Sequence, residues 1–329
     1  MKDLQSLIPI PRIWEELGRV EERLLEASLA DDPYLTKIAQ HLLLAGGKRF
    51  RPLLALLAAE FGEATDHRPV EAAVAVELIH VGSLYHDDVI DEADTRRGAA
   101  SVNANWSNSL AILAGDFLMA RASEVAATHL SQESVRLLAT TYAELVEGQT
   151  RELQLSGDLN HSLEEYHQVI GGKTASLIRT AARLGAMAAD ARPEVIEALS
   201  TWAWELGMVF QIADDALDLV ADEEAIGKPA GSDIREGTFT AAVLLAANGP
   251  GGARIQDLLG GGLPLADDAV NEAIALVRSG GFIERVLEDA QARLETASAA
   301  LERLPPSEHR DILAGLGDHL LDRVEAVRP

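Results

Sequence analysis

The chain contains no cysteine among its 329 residues. Disulfide bonds, catalytic thiols and cysteine-ligated zinc are therefore excluded. Long hydrophobic runs are missing too, since no segment reaches the roughly 20 apolar residues that a membrane-spanning helix needs. The first ten residues do not read as a secretory leader, and no basic amphipathic helix reads as a membrane anchor. We therefore expect a cytoplasmic protein that makes at most transient contact with membranes.

Basic and aromatic residues are both scarce. Lys and Arg number 28 against 53 Asp and Glu, which gives a formal net charge of −25 at pH 7. This balance argues against nucleic-acid binding, which needs a basic surface. Aromatic residues make up only 4% of the chain. Leu and Ala dominate instead, and this composition favours helices over sheets.

Apolar residues recur at helical spacing along most of the sequence. The spacing predicts helices over 12–30, 53–61, 70–91, 108–128, 133–155, 194–220, 265–303 and from 308 to the end. The segment 108–128 is Ala-rich and apolar on nearly all sides, which predicts a central helix.

Glycine pairs mark the predicted breaks. We expect Gly171-Gly172 to interrupt the pattern before a helix that runs through Ala188, and we expect Gly249 to Gly262 to form a surface loop. No run alternates like a strand, and no linker is long enough to separate two domains. The sequence therefore predicts one all-α domain over residues 1–329, built from ten or more helices around a central cavity.

The most informative motif is acidic and occurs twice. The pattern Asp-Asp-x-x-Asp is formed by Asp87, Asp88 and Asp91 and again by Asp214, Asp215 and Asp218. The first and last Asp of each copy are four residues apart and share one helix face. Six carboxylates in one cavity would repel each other strongly unless cations held them. Mg²⁺ suits such oxygen ligands and binds substrate phosphates at the same time.

Several basic and polar motifs accompany the two acidic ones. They are Gly46-Gly47-Lys48-Arg49-Phe50-Arg51-Pro52, His80, Arg96-Arg97-Gly98, Gly171-Gly172-Lys173-Thr174, Gln211 and Gly227-Lys228-Pro229. In this order, from about residue 41 to residue 240, the sequence closely resembles the trans-isoprenyl diphosphate synthases, also called polyprenyl synthetases. A single Asp-Asp-x-x-Asp motif would support this resemblance only weakly. The whole set of motifs in the family's order is specific for this family.

The resemblance implies an isoprenoid synthase fold and a prenyl transfer reaction. An allylic diphosphate ionises, isopentenyl diphosphate attacks the carbocation head to tail, and a proton is lost. Asp87, Asp91 and Asp214 are implied ligands of about three Mg²⁺ ions. Asp88, Asp215 and Asp218 are implied to support them or to bind the metal through water.

The resemblance also assigns the diphosphate-binding cations. Arg96, Lys173 and Lys228 are implied to bind the allylic diphosphate. Lys48, Arg51, His80 and Arg97 are implied to bind isopentenyl diphosphate. Thr174 and Gln211 match polar groups near the forming carbocation. Arg offers a bidentate fork to phosphate oxygens and Lys a point charge, so these residue types suit the role.

One position departs from the family pattern. After Gly231-Ser232-Asp233-Ile234-Arg235-Glu236-Gly237 the family usually has Lys, and this chain has Thr238. One positive charge near the allylic diphosphate is therefore missing. Slower turnover, weaker diphosphate binding and a role divided between subunits all remain open.

Product length is predicted from the residues before the first acidic motif. In the family, the positions four and five before its first Asp line a tunnel for the growing chain, and here they are Ser83 and Gly82. Both are small, and each opened helical turn of about 5.4 Å admits roughly one more isoprene unit. We expect a long all-trans product of about C30–C50.

Three alternatives stay open at this stage. A geranylgeranyl diphosphate synthase would have the same motifs and a shorter product. A class I terpene cyclase would need no isopentenyl diphosphate pocket, and Lys48, Arg51 and Arg97 argue against it. A partner subunit of a heteromeric synthase is favoured by Thr238 alone. The resemblance itself implies a homodimer formed through the apolar helix near 108–128.

Overall fold

The protein is described by a computed structural model that covers residues 2–63, 66–220 and 230–327. The helices in chain order are α1 Lys2–Leu7, α2 Pro11–Ala27, α3 Pro33–Ala39, α4 His41–Leu44, α5 Phe50–Ala59, α6 Arg68–Ile90, α7 Val102–Asn105, α8 Asn108–His129, α9 Gln132–Leu155, α10 Leu163–Ile170, α11 Ser176–Ala188, α12 Pro193–Val220, α13 Ser232–Glu236, α14 Ala241–Asn248, α15 Ala253–Leu259, α16 Asp267–Ser279, α17 Phe282–Leu301 and α18 Glu308–Glu325. The predicted all-α class and the minimum of ten helices are confirmed.

The chain forms two compact units. The first comprises Met1–Tyr142 and Leu177–Ser200, and the second comprises Ala143–Ser176 and Thr201–Pro329. Among the described residues, no helix has both the length and the apolar character to cross a bilayer. A short antiparallel pair, β1 Thr95–Arg96 and β2 Ala99–Ala100, belongs to the first unit.

Helix α6 forms the core of the first unit. Its apolar residues are buried on nearly all sides, and it packs against α5 and α8. The approach to α8 is close, since a Cβ atom on Gly82 would lie 3.1 Å from the carbonyl oxygen of Gly115. A larger residue at position 82 would therefore press on α8.

Helix α8 differs from the prediction that it would be central. Its buried side faces α6, but Ile112 is 44% exposed and Leu113 is 58% exposed. The sequence pattern correctly shows apolar residues all round this helix. However, this chain alone covers only one side of it.

The predicted interruption at Gly171-Gly172 is a change of helix type, and the predicted helix through Ala188 is confirmed. The backbone continues from α10 through a π-helical turn, Gly171–Ala175, into α11. A Cβ on Gly172 would lie 3.0 Å from the Cα of Gly148 in α9. Glycine at position 172 therefore lets two backbones approach closely.

The predicted loop over Gly249 to Gly262 is also wrong in part. Helix α15 occupies Ala253–Leu259, and the glycines flank it at both ends. Helix α14, just before this region, was not predicted. The helical stretch expected over 265–303 is divided by Gly280-Gly281 into α16 and α17. Gly281 has a φ of +73°, a conformation that glycine adopts without strain.

We predict that Gly185→Ala destabilises the protein by about 2 kcal/mol or more, since overpacking a tight contact costs this much. A Cβ at Gly185 in α11 would lie 2.0 Å from the carbonyl oxygen of Ala55 in α5. Gly18→Ala is the matched control, because a Cβ at Gly18 in α2 would meet no atom within 4 Å. This control should gain roughly 0.5–1 kcal/mol from helix propensity. Urea unfolding measures the free energy of unfolding of both variants. Equal changes in the two variants would contradict the close packing of α11 against α5.

Candidate functional site

The first acidic motif lies at the carboxyl end of α6. Asp88 is fully buried, and its Oδ1 accepts a 2.6 Å hydrogen bond from Nε of Arg96. Asp87 is half-buried, and Asp91 is exposed at the residue that ends the helix. Burial raises the pKa of Asp88 above its ordinary value, although Arg96 opposes this shift. The motif thus keeps one carboxylate inside to hold an arginine and leaves two accessible from solvent.

The β1–β2 hairpin separates two adjacent arginines. Arg97 and Gly98 connect the strands with φ angles of +56° and +75°, the geometry of a tight hairpin turn. Arg96 reaches Asp88, whereas Nη1 of Arg97 donates to the carbonyl oxygens of Leu42 and Gly46, at 3.1 Å and 2.7 Å. The two arginines therefore reach different places in the first unit.

The first unit contains three arginines, Arg49, Arg51 and Arg97, around Glu77. We call this group the arginine cluster. Glu77 is only 1% exposed. Its Oε1 accepts from Nη1 of Arg49 at 3.0 Å and lies 3.8 Å from Nη2 of Arg97. Nε of Arg49 also donates to Oε1 of Glu21 at 2.7 Å. Sequence reasoning missed Glu77 and Arg49 as functional elements, because nothing local reveals that they meet.

The cluster carries more positive than negative charge. Burial lowers the pKa of Arg51 to about 10 even though Glu77 opposes the shift, so the side chain remains charged at neutral pH. Nε of Arg51 is buried and has no hydrogen-bond partner among the described residues. In the described part of the chain, the ion pairs of these three guanidinium groups are with Glu77 and Glu21, so positive charge is in excess, which favours an additional anion here.

His80 belongs to the same group. Its Nε2 lies 3.4 Å from Nη1 of Arg51. Burial, reinforced by Arg51 and Arg97, holds the pKa of His80 well below its ordinary value. The imidazole is therefore neutral at physiological pH. Lys48 lies exposed immediately before Arg49. The structure thus brings Arg51, His80 and Arg97 close together, and Lys48 directly precedes Arg49 in the chain.

The second acidic motif lies near the end of α12, in the second unit. Asp215 is buried, and it accepts hydrogen bonds from the hydroxyl of Tyr166 at 2.6 Å and from Nε2 of Gln211 at 2.8 Å. Oε1 of Gln211 accepts from Oγ1 of Thr174 at 2.7 Å. Burial raises the pKa of Asp215 to about 7. Asp214 is exposed. Again one carboxylate is fixed inside and its neighbour faces outward.

Lys173 is held by an acidic residue that the sequence did not single out. Its Nζ forms an ion pair with Oε2 of Glu152, which also accepts from Nε2 of Gln149 at 3.0 Å. Glu152 and Tyr166 are the functional candidates that sequence reasoning missed in this unit. Both contacts join residues about 20 to 50 positions apart, which no local pattern predicts.

Asp218, near the end of α12, contacts the start of α13. Its Oδ2 accepts from the backbone N–H of Asp233 at 3.3 Å. The backbone N–H of Thr238 donates to the carbonyl oxygen of Asp233 at 2.8 Å. Arg235, the nearest cation in sequence, forms an ion pair with Asp267 at 3.2 Å. Lys228 lies outside the described residues.

The carboxylates fit a metal that arrives with phosphate. In the part of the chain that the structure describes, no three His, Asp or Glu side chains form a ready-made metal site. The donors are hard oxygens, and Oδ2 of Asp88 is buried without a hydrogen-bond partner in the described residues. Mg²⁺ commonly uses one or two carboxylates and takes its remaining ligands from water and phosphate. The donor set is compatible with that mode.

The two predicted chain-length residues have different surroundings. Gly82 is buried where α6 crosses α8, and a Cβ on it would lie 2.9 Å from the terminal methyl of Met119. Ser83 is half-buried, and its Oγ donates to the carbonyl oxygen of His80 at 2.8 Å. Gly82 therefore lies in a tight contact between two helices, whereas Ser83 is partly accessible.

Comparison with known proteins agrees with this geometry. The family model of the polyprenyl synthetases matches residues 32–277. Because this match spans most of the chain, the protein belongs to the polyprenyl synthetase family and is a prenyltransferase. The predicted family is confirmed.

Individual relatives match over nearly their whole length. The nonaprenyl diphosphate synthase of Mycobacterium tuberculosis is 43% identical, covering 98% of this chain and 96% of that protein. The heptaprenyl diphosphate synthase component 2 of Geobacillus stearothermophilus is 39% identical over 92% of this chain and 94% of that one. The crystal structure of geranylgeranyl pyrophosphate synthase from Corynebacterium glutamicum, complexed with calcium and isoprenyl diphosphate, superimposes with a TM-score of 0.84. It is 40% identical and covers 97% of each chain.

The neutral state of His80 predicts a pH dependence of stability. The unfolded chain protonates this imidazole near pH 6.5, whereas the folded protein does so only at lower pH. Unfolding therefore takes up a proton below about pH 6.5, and stability falls as pH falls, by roughly 1 kcal/mol per pH unit. Urea unfolding at pH 7.5 and 5.5 should show a smaller loss for His80→Gln than for the wild type. An identical loss in both would contradict this account.

Proposed function

We propose that the chain is a Mg²⁺-dependent polyprenyl diphosphate synthase that extends an allylic diphosphate with isopentenyl diphosphate. The observation that carries this proposal is the arginine cluster with its surplus positive charge. It lies in the same unit as the metal-binding candidates Asp87 and Asp91, and Glu77 at its centre precedes Asp87 by 10 residues on α6, roughly 15 Å along the helix axis. A terpene cyclase needs only one diphosphate site, so the separate cationic cluster favours condensation.

The six aspartates of the two acidic motifs have two different roles. Asp87, Asp91 and Asp214 bind Mg²⁺, while Asp88, Asp215 and Asp218 orient neighbouring groups from buried positions. Mg²⁺, when bound, would neutralise the negative charge that develops on the departing diphosphate. We propose about three such ions.

The cations and polar groups complete the arrangement. Arg96, Lys173 and Lys228 bind the allylic diphosphate, and Lys48, Arg51, His80 and Arg97 bind isopentenyl diphosphate. Before substrate binds, Asp88 orients Arg96 and Glu152 orients Lys173. The Thr174–Gln211 hydrogen bond fixes two dipoles that would face the carbocation. Preformed groups of this kind need little reorganisation during reaction.

We predict that Asp214→Asn lowers the rate of isopentenyl diphosphate incorporation by about a hundredfold or more, the usual cost of losing one electrostatic group at the reacting centre. Asp87→Asn should do the same, and excess chelator should abolish activity until Mg²⁺ is restored. Asp318→Asn is the matched control, since Asp318 is exposed on α18. Incorporation of labelled isopentenyl diphosphate measures all three variants. Wild-type rates in both motif variants would refute the metal assignment.

We propose a long all-trans product of about C30–C50, because small residues precede the first motif and one helical turn corresponds to roughly one isoprene unit. The nonaprenyl and heptaprenyl names of two relatives support this range. The geranylgeranyl pyrophosphate synthase at 40% identity supports the shorter alternative. The relative named as component 2, together with Thr238, supports the alternative of a heteromeric partner subunit.

We predict that Ser83→Phe shortens the product, since the larger side chain would occupy the path of the growing chain one turn before Asp87. Ser298→Phe on α17 is the matched control, because Ser298 is exposed in the second unit. Chromatography of the dephosphorylated products with a farnesyl primer gives chain length directly. An unchanged product from Ser83→Phe would show that the tunnel runs elsewhere.

We also propose a homodimer formed through α8. The exposed Ile112 and Leu113 form an apolar surface that one chain leaves in water. Leu113→Glu should produce a monomer in sedimentation velocity, because it places a charge on that surface. Leu263→Glu is the control, since Leu263 is 49% exposed on another part of the chain. If Leu113→Glu sediments like the wild type, α8 is not the interface.

The single domain over residues 1–329 and the cytoplasmic location stay predictions. The family match, which extends across both units, supports the single domain.

A further inference from the structure

A chain of three hydrogen bonds in the second unit joins α10 and the turn after it to α12. The hydroxyl of Tyr166 in α10 donates to Oδ2 of Asp215 at 2.6 Å, and Nε2 of Gln211 donates to Oδ1 of the same carboxylate at 2.8 Å. Oγ1 of Thr174 donates to Oε1 of Gln211 at 2.7 Å. The chain therefore begins at Tyr166 and ends at Thr174, which lies in the π-helical turn Gly171–Ala175.

Each hydrogen bond in this chain has a defined direction. Asp215 accepts at both of its oxygens, which is the pattern of an ionised carboxylate without a hydrogen to donate. Gln211 must therefore turn its amide N–H towards Asp215 and its carbonyl oxygen towards Thr174. A threonine hydroxyl has one hydrogen, and Thr174 uses it in the bond to Gln211. The negative end of the Thr174 hydroxyl dipole therefore points away from Gln211.

Tyr166 fixes the orientation of the Asp215 carboxylate. Gln211 and Asp215 lie one turn apart on α12, and a single hydrogen bond between them leaves the carboxylate able to rotate about its Cβ–Cγ bond. The hydroxyl from α10 holds Oδ2, so Oδ1 stays turned towards Gln211. Tyr166 is 4% exposed and Asp215 is 7% exposed, so water is a poor substitute for this donor.

Loss of the Tyr166 hydroxyl would disturb the whole chain. One buried oxygen of Asp215 would lose its donor, which is costly enough to make the carboxylate turn. The amide of Gln211 could then flip, and the hydroxyl of Thr174 would no longer have a single acceptor to define its direction. The effect of Tyr166 would therefore appear at Thr174, which it does not contact in the described hydrogen bonds.

We infer that Tyr166 is a positioning residue for prenyl transfer. Through Asp215 and Gln211, it directs the negative end of the Thr174 hydroxyl dipole towards the forming carbocation. The inference rests on the proposed function, in which Thr174 and Gln211 lie beside the carbocation. An oxygen dipole that is oriented in advance stabilises positive charge without reorganisation during the reaction.

Tyr166→Phe removes the hydroxyl and keeps the ring. We expect kcat to fall about tenfold, the usual cost of losing a supporting hydrogen bond behind a reacting group. The KM for isopentenyl diphosphate and the Mg²⁺ concentration that gives half the maximal rate should stay unchanged. Tyr142→Phe is the matched control, since Tyr142 is half-buried on α9, and it should keep the wild-type kcat.

Two outcomes of these rate measurements would overturn the inference. A wild-type kcat in Tyr166→Phe would show that the hydroxyl has no role in the reaction. A higher Mg²⁺ requirement in this variant would show that Tyr166 acts on the metal-binding aspartates and not on Thr174.

A double-mutant cycle tests whether Tyr166 acts through Thr174. Thr174→Val removes the hydroxyl at the end of the chain and should lower kcat at least as much as Tyr166→Phe does. Thr174→Ser keeps the hydroxyl and should retain most of the activity. Tyr166→Phe should cost nothing further in the Thr174→Val background, because the dipole that it directs is already gone. Losses that simply multiply would contradict the connection.

A spectroscopic measurement tests the hydrogen-bonded chain without turnover. The protein has four tyrosines, so ¹³C labelling at tyrosine Cζ gives four signals. Phe variants of Tyr34, Tyr85 and Tyr142 assign the signal of Tyr166 by exclusion, even if Tyr166→Phe does not fold. Gln211→Leu should shift the Tyr166 signal and leave that of Tyr34 in place. An unchanged Tyr166 signal would overturn the inference.

The two kinds of measurement separate the inference from the proposed function. A wild-type protein that transfers no prenyl group would refute the proposed function and the role of Tyr166 in it. The response of the Tyr166 signal to Gln211→Leu would still decide whether the hydrogen-bonded chain exists. An active wild type with an unaffected Tyr166→Phe would refute the inference alone.

Discussion

The first unit depends on one buried carboxylate, Glu77, surrounded by three arginines. Guanidinium groups in an apolar interior would be too costly without an opposite charge beside them. Glu77 provides that charge from the centre of α6, so it fixes the segment before α5 through Arg49 and the hairpin through Arg97. The guanidinium groups that Glu77 holds in place are the ones that we propose bind a diphosphate.

Each acidic motif contains one buried and one exposed aspartate. In each, an inner aspartate is buried and hydrogen-bonded, Asp88 by Arg96 and Asp215 by Tyr166 and Gln211. The outer aspartates Asp91 and Asp214 remain exposed. Fixing the inner carboxylate orients the surrounding donors before substrate arrives. Groups placed in advance stabilise developing charge without the reorganisation that water would require.

The sequence predicted the longer helices because apolar spacing is a local signal that needs several turns to be visible. It missed the short helices, among them α15, which lies inside the stretch expected to be a loop. It also could not show that Gly172 lies against Gly148 of α9. That contact joins segments that are distant in sequence.

The same limit applies to the candidate site. The aspartates and most cations were found because they stand in collinear motifs. Glu77, Glu152 and Tyr166 were missed because their roles arise only when segments far apart in sequence meet. The partial exposure of α8 could not be predicted either, since a pattern that is apolar all round fits both a central helix and an interface.

The central claim is that the arginine cluster binds the diphosphate of isopentenyl diphosphate without help from a metal. The most direct measurement is calorimetric binding of isopentenyl diphosphate in excess chelator to wild type, Arg51→Gln and the surface control Arg254→Gln, whose side chain pairs with Glu272. We predict metal-independent binding that Arg51→Gln weakens about tenfold or more and the control leaves unchanged. Binding that requires Mg²⁺, or that is insensitive to Arg51→Gln, would contradict the account.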